Sequence, residues 1–253
     1  MPVAPDFFDR LYARIKPDWN TEYTYHGKQH IDASIKRQLL RHGKAGGRLL
    51  DIGSWAGAFV AFMSESFQSQ GIEINAEGAR CATERGQKVE CGAFLDTPLD
   101  DHTFDVVTLI DVLEHLPEPG RILEKAQRLL TPAGLLYIKV PNYRAQKAKQ
   151  NVLRRLGLSR EGIMDDFIQI NHFSPDALTR SLVRSGFDML DVRFTGAESW
   201  DLSAPGVSVQ TRAKRWLRNV SVDTATRILN LVSRTGAIEV GLNFSVLARK
   251  TAR

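Results

Sequence analysis

Asp51, Gly53, Gly57 and Glu73 are the residues of this 253-residue chain whose types and spacing could do chemistry. They lie in RLLDIGSWAGAFVAFMSESFQSQGIEIN, residues 48–75. The apolar run Leu49 to Ile52 predicts a buried parallel strand, followed by a sharp turn at Gly53 and a helix starting near Ala56. A second strand, Gln70 to Ile74, carries Glu73 at its tip. Glycines at 53 and 57 let the backbone bend tightly and let a ligand approach the main chain with no Cβ in the way. The helix that follows aims its unpaired N–H groups at whatever occupies the crevice. An acid at the next strand tip, about 20 residues on, is where nucleoside-binding folds hold the ribose hydroxyls. The stretch therefore predicts a nucleoside-containing cofactor held by Asp51, Gly53, Ser54, Trp55, Gly57, Glu73 and Ile74. The glycines stand as G-x-x-x-G, unlike the G-x-G-x-x-G of dinucleotide enzymes, which disfavours a nicotinamide-dependent oxidoreductase.

Downstream, HTFDVVTLIDVLEHLPEPGRILEKAQRLLTPAGLLYIKVPN holds a near-continuous apolar strand, Phe104 to Ile110, that ends on Asp111. With DIGSWAG before it, this run resembles the class I S-adenosylmethionine-dependent methyltransferases, including those of the ubiquinone-biosynthesis type. Asp51, Gly53 and Gly57 match the first family motif, and Trp55 stands where that motif has its middle glycine. The resemblance is continuous over residues 48–142 and implies S-adenosylmethionine as cofactor. By the same resemblance Ala93 and Phe94 hold the adenine and Asp111 faces the methionine part, with His115 towards the transferred methyl. The family also places His172 at the acceptor pocket and brings Tyr25 and His30, from an N-terminal helical cap, near the substrate. His115, His172 and a histidine of the cap are the candidate bases. Each has a plainer alternative, a turn or cap residue for the histidines and a core side chain for Phe94.

These elements imply an α/β fold, a Rossmann-like, seven-stranded, mostly parallel sheet with helices on both faces. Residues 1–46 form the expected cap, and residues 47–253 the main domain with helical insertions at about 143–170 and 197–240. Helices are predicted for Ala76 to Arg85, after Pro119, for Arg144 to Leu158 and from Pro175, where Ser174 is a ready N-cap. Strands are predicted for Lys88 to Cys91, Gly134 to Val140, Met189 to Phe194 and Leu242 to Arg249, the last two antiparallel neighbours.

The net charge of +5 is local. Residues 139–160 hold seven bases and no acid, so the rest of the chain sums to about −2. A basic helix leaving the sheet edge beside the cofactor is either a solvated face or a lid for an anionic acceptor, with Tyr143, Arg154 and Arg155 as substrate contacts. The helix around VSVQTRAKRWLRN is basic and amphipathic, a pattern that can lie on an anionic membrane but more often packs on its own domain. No run of about 18 uncharged apolar residues predicts a spanning helix. The first residues have no apolar core of a secretory leader, and the two cysteines read as reduced, buried thiols, so a cytoplasmic protein is expected. No histidine or acid spacing predicts a metal site. Nothing resembles an appended RNA-binding module, and no nucleic-acid partner is expected; the oligomeric state is open. The expected activity is methyl transfer to a small molecule, preferably O-methylation of an anionic, glycosylated or lipid-linked intermediate. The alternatives are a non-catalytic cofactor-binding protein of the same fold, or methylation of RNA or protein.

Overall fold

The computed structural model describes residues 29–43, 45–155, 170–195 and 241–251. Within them the elements run α1 (Gln29–His42), β1 (Arg48–Ile52), α2 (Ala58–Met63), β2 (Gln68–Glu73), α3 (Ala76–Glu84), β3 (Val89–Cys91) and β4 (Phe104–Ile110). A 3-10 turn (Leu113–His115) follows, then α4 (Pro119–Leu129), β5 (Leu130–Pro141), α5 (Tyr143–Arg155), α6 (Pro175–Arg184), β6 (Phe187–Thr195) and β7 (Asn243–Lys250). The seven strands form one sheet in the order β3-β2-β1-β4-β5-β7-β6. All neighbours are parallel except that β7 runs antiparallel to both β5 and β6. The expected seven-stranded α/β architecture is present.

The strand order reverses between β1 and β4, and a crevice opens there outside the carboxyl ends of the strands. Both strands are apolar on both sides because helices cover both faces. One face buries Leu49, Val106 and Tyr137 against Ile35 and Leu39 of α1 and Phe59 and Met63 of α2. The other buries Leu50, Val107, Leu109 and Ile138 against Ile122, Leu123 and Ala126 of α4 and Leu178 and Leu182 of α6. Tertiary burial on both sides therefore fixes β1 and β4, and with them Asp51 and Asp111 at their ends.

Several boundaries differ from those read in the sequence. The helix after the glycine turn begins at Ala58 instead of Ala56, because Gly57 is left-handed at φ 77° and serves as its N-cap. β5 extends back to Leu130, directly after α4, through a register shift opposite Phe104. Ser174 does cap α6, accepting the Ala177 N–H, with Pro175 in the first turn. The cysteines are free but not buried: Cys81 is half-buried and Cys91 is exposed, because β3 is a three-residue edge strand. Of the expected cap, only α1 lies within the described residues; Tyr25, the side chain of His30 and the helices expected within 197–240 lie outside them. No described helix is long and apolar enough to cross a membrane.

Candidate active site

The turn after β1 is built from residues that hold one another. Gly53 is left-handed at φ 76°, and a Cβ there would fall 2.4 Å from Cγ2 of Val112, just beyond β4. Its N–H donates to Ile72 O at 2.8 Å, tying the turn to β2. The Trp55 N–H donates to Glu73 Oε2 at 2.8 Å, and the Asn75 N–H to Oε1 at 2.7 Å. Asn75 also caps α3 by accepting the Gly78 N–H. Glu73, only 6% exposed, thus links the glycine turn, its own strand and the next helix. Burial raises its pKa above the ordinary carboxylate value, although the N–H groups of Asn75, Trp55 and Ile74 favour the ionised form. Ile74 is half-buried beside it.

Asp51, 3% exposed, accepts a hydrogen bond from the Thr108 hydroxyl at 2.6 Å. Burial pushes its pKa from 3.8 to about 7, and the negative charges of Asp32 and Glu73 add to the rise. Asp32 comes from α1, so the helix covering this face contributes a third carboxylate to the switch point. Neither Asp32 nor Thr108 could be found from the sequence, because only the sheet register and the docking of α1 bring them to Asp51. The Ser54 side chain, expected among the cofactor contacts, turns inward: its Oγ fills the space where Gly71 of β2 would carry a Cβ. Ser54 can therefore reach a ligand only through its main chain.

On the same side of the crevice, beyond β2, the Gly92 N–H donates to Glu73 O at 2.9 Å and sets Ala93 and Phe94 beside the end of β2. Phe94 is itself core, 6% exposed and packed with Ile72 and Leu123. Lys125 of α4 fixes this turn, its ammonium donating to the carbonyls of Phe94, Leu95 and Thr97 at 2.5, 3.2 and 2.6 Å. The same Nζ lies 4.9 Å from the Phe94 ring centroid. Burial lowers the Lys125 pKa, and the three carbonyls replace the water it has lost. The sequence shows Lys125 only as a charge in an amphipathic helix. Lys125→Met is expected to weaken S-adenosylhomocysteine binding about tenfold, roughly the ~1.5 kcal/mol of one charge-assisted hydrogen bond. Calorimetry checks this, with the acceptor Michaelis constant expected to stay within about twofold.

Asp111 is also left-handed, at φ 56°. Both its carboxylate oxygens accept from Lys139 Nζ at 2.8 Å. Lys139 is 2% exposed, so it is no part of an exposed basic face, and the charge run read in the sequence must be reduced by it. It reaches Asp111 because β4 and β5 pair in register at Ile110 and Lys139. Arg144 is spent on Asp176 at 2.7 Å. Lys147, Arg154 and Arg155 stay exposed on α5, with no carboxylate partner among the described residues.

The segment before His172 is tied to the turn that carries His115. The Asn171 N–H donates to Glu114 O at 2.9 Å and its side chain to Leu116 O at 2.6 Å, clasping the turn that carries His115. The next residue, His172, stacks on Tyr143 with ring centroids 5.1 Å apart. Asn171 gives no sign in the sequence, since its partners are main-chain carbonyls 55 and 57 residues away. No cluster of metal-ligating side chains exists among the described residues. A cavity of about 670 Å³ lies elsewhere, between α4 and α6, lined by Leu123, Arg128, Phe173 and Arg184.

The family described as "Methyltransferase domain" matches residues 23–192. The chain belongs to this family. S-adenosylmethionine is the cofactor of such methyltransferases. The chain is 28% identical over 109 residues to a ubiquinone biosynthesis O-methyltransferase of Vibrio cholerae, covering 40% of this chain and 44% of that one. It spans about half the length of the curated relatives it matches. Its fold is similar to the [4+2]-cyclase SpnF, with a TM-score of 0.65 at 18% identity, covering 100% of this chain and 98% of the other. It is also similar to a S-adenosylmethionine-dependent methyltransferase of Thermotoga maritima described as a possible histamine N-methyltransferase, with a TM-score of 0.60 at 17% identity over 97% and 100% of the two chains.

The chain's own residues fit that cofactor. Two buried carboxylates at the switch point, Asp51 and Glu73, suit a cationic sulfonium nucleoside. The buried indole N–H of Trp55 has no hydrogen-bond partner among the described residues, a donor left over in the same turn.

Proposed function

We propose that the protein is an S-adenosylmethionine-dependent methyltransferase acting on a small molecule, with O-methylation of an anionic, glycosylated or lipid-linked acceptor preferred. The observation that carries the reading is the glycine turn itself, whose Trp55 N–H donates to buried Glu73 while buried Asp51 lies at the end of the strand before it. A negative, water-poor cradle at the switch point stabilises a positively charged nucleoside, and Glu73 is the acid at the strand tip that accepts the ribose hydroxyls. Gly53, Gly57, Trp55, Ile74, Ala93 and Phe94 complete this side, with Asp111 towards the methionine end.

The bound sulfonium supplies an electrophilic methyl group. What this chain contributes is desolvation, alignment and, for a hydroxyl acceptor, removal of a proton. Orientation of this kind can supply ~7 to 11 kcal/mol, and a positioned base a further factor of about 10² to 10⁴. His115 on the 3-10 turn and His172 on the Asn171 clasp are the bases proposed, with Tyr143 lining the acceptor side beside His172. Tyr25 and His30 of the cap are proposed as further acceptor contacts. The name of the Vibrio relative supports an oxygen acceptor. The exposed bases at the far end of α5 support an anionic one.

Charge reversal by R154E together with R155E should raise the acceptor's Michaelis constant about tenfold and leave cofactor affinity alone. An unchanged constant removes the anionic acceptor from the proposal. The wider reading is tested by incubating the protein with methyl-labelled S-adenosylmethionine and fractions of a cell extract. Label in an acidic small-molecule fraction supports it. Label in RNA or protein, or tight cofactor binding with no transfer in any fraction, overturns it.

A further inference from the structure

Trp55 is where the chain leaves the glycine pattern, and the fold does not simply tolerate the exchange. Its backbone sits at φ 49°, the left-handed region that a residue with a Cβ rarely adopts. The conformation is kept because the Trp55 N–H donates to Glu73 Oε2. The indole then lies over α3: its Cε3 is 3.2 Å, and Glu73 Cγ 3.4 Å, from the point where a Cβ on Gly78 would stand. A glycine in the first turn of α3 thus leaves a slot that the ring and the Glu73 side chain share. The indole Nε1 is buried and has no hydrogen-bond partner among the described residues. A buried donor without a partner, on a strained residue beside a ligand-binding carboxylate, is a cost that a ligand can offset.

We propose that the Trp55 indole N–H donates to a ribose hydroxyl oxygen of the bound nucleoside, making Trp55 a specificity residue for the ribose. This rests on the nucleoside site described above. A ribose hydroxyl is both donor and acceptor: its proton goes to Glu73, and its lone pair remains for a donor beside that carboxylate. Glu73 supplies only acceptors, and its own N–H partners belong to the protein main chain. The indole N–H completes the pair. A glycine would let the ligand approach the main chain; tryptophan substitutes a side-chain donor and a flat apolar wall.

The test is calorimetry of S-adenosylhomocysteine and its 2′-deoxy and 3′-deoxy counterparts against the wild type and Trp55→Phe. The variant keeps the ring and removes only the N–H, so the ligand-free protein should melt at the same temperature or higher. S-adenosylhomocysteine should bind Trp55→Phe about tenfold more weakly than wild type. The counterpart lacking the contacted hydroxyl should bind both proteins equally. Equal binding of S-adenosylhomocysteine by both proteins overturns the proposal, and so does an equal loss for all three ligands, which would make the indole a packing surface only. Wild type that binds none of the ligands overturns the nucleoside site itself, a different result from a wild type that binds and a variant that binds as well.

Discussion

Glu73→Ala is expected to leave no measurable cofactor affinity, a loss of at least about a hundredfold in calorimetry with S-adenosylhomocysteine. The carboxylate is 6% exposed and already accepts the main-chain N–H groups of Trp55 and Asn75. Each further hydrogen bond to it from a ribose hydroxyl is worth about 1.5 to 3 kcal/mol, so two correspond to about a hundredfold or more. The same substitution strips the acceptor from Trp55 N–H, which holds the left-handed turn, so the loop loses its shape together with its ligand. Glu73→Gln separates the two effects: it keeps one oxygen acceptor for the turn and loses the charge. Its affinity should fall between wild type and Glu73→Ala. Gly53→Arg should fail as completely as Glu73→Ala, since even a Cβ at that φ of 76° meets Val112 at 2.4 Å. Normal affinity in either Glu73→Ala or Gly53→Arg would remove the glycine turn from the site.

Asp51→Asn is expected to strengthen the ligand-free fold and weaken cofactor binding, and pH should tell the two apart. In the folded protein the Asp51 pKa is raised from 3.8 to about 7, chiefly by burial and then by Asp32 and Glu73. Below about pH 4 the group is protonated whether the chain is folded or not, and contributes nothing to stability. Between about 4 and 7 the folded state holds a proton that the unfolded chain has released, so stability falls as pH rises. Above 7 the full cost of the buried charge is present, up to about 4 kcal/mol from three pKa steps of 1.36 kcal/mol each. Asparagine keeps an oxygen for the Thr108 hydroxyl and carries no charge. Its melting temperature should therefore exceed wild type by several degrees at pH 8 and match it at pH 4. A cationic ligand favours ionised Asp51, so wild-type affinity for S-adenosylmethionine should rise between pH 5.5 and 7 and flatten above. Asp51→Asn should flatten that profile. A variant no more stable at pH 8, with an unaltered pH dependence of binding, would show that Asp51 is not the charge that the cradle holds in reserve.

Much of the site was legible before folding because its chemistry is local. Asp51, Gly53 and Gly57 fall within seven residues, and Glu73 follows at the tip of the very next strand. Main-chain geometry alone then prescribes a bend, a helix start and an acid at one sheet edge. The strands themselves were equally plain, since strands covered on both faces are mainly apolar, as β1 and β4 are apart from Arg48, Asp51, Asp105 and Thr108. Local reading failed where a side chain's direction depends on what packs behind it. Ser54 stands in the motif yet turns its hydroxyl against Gly71, and Lys139 stands in the basic run yet is buried on Asp111.

The amino-acid sequence by itself determined the family, the strands of the sheet and the glycine bend at its carboxyl edge, because those depend on residue types at short spacing and on the period of apolar positions. Only the tertiary structure decided which charges belong to the crevice. Docking of α1 sets Asp32 close enough to raise the Asp51 pKa, and α4 brings Lys125 to the turn at Phe94. The β4–β5 register gives Lys139 to Asp111, and Asn171 ties the segment before His172 to the turn that carries His115. Each of these contacts joins residues at least 19 positions apart, beyond the reach of any helical or strand period, so each exists only once the sheet has closed and water has left the interface.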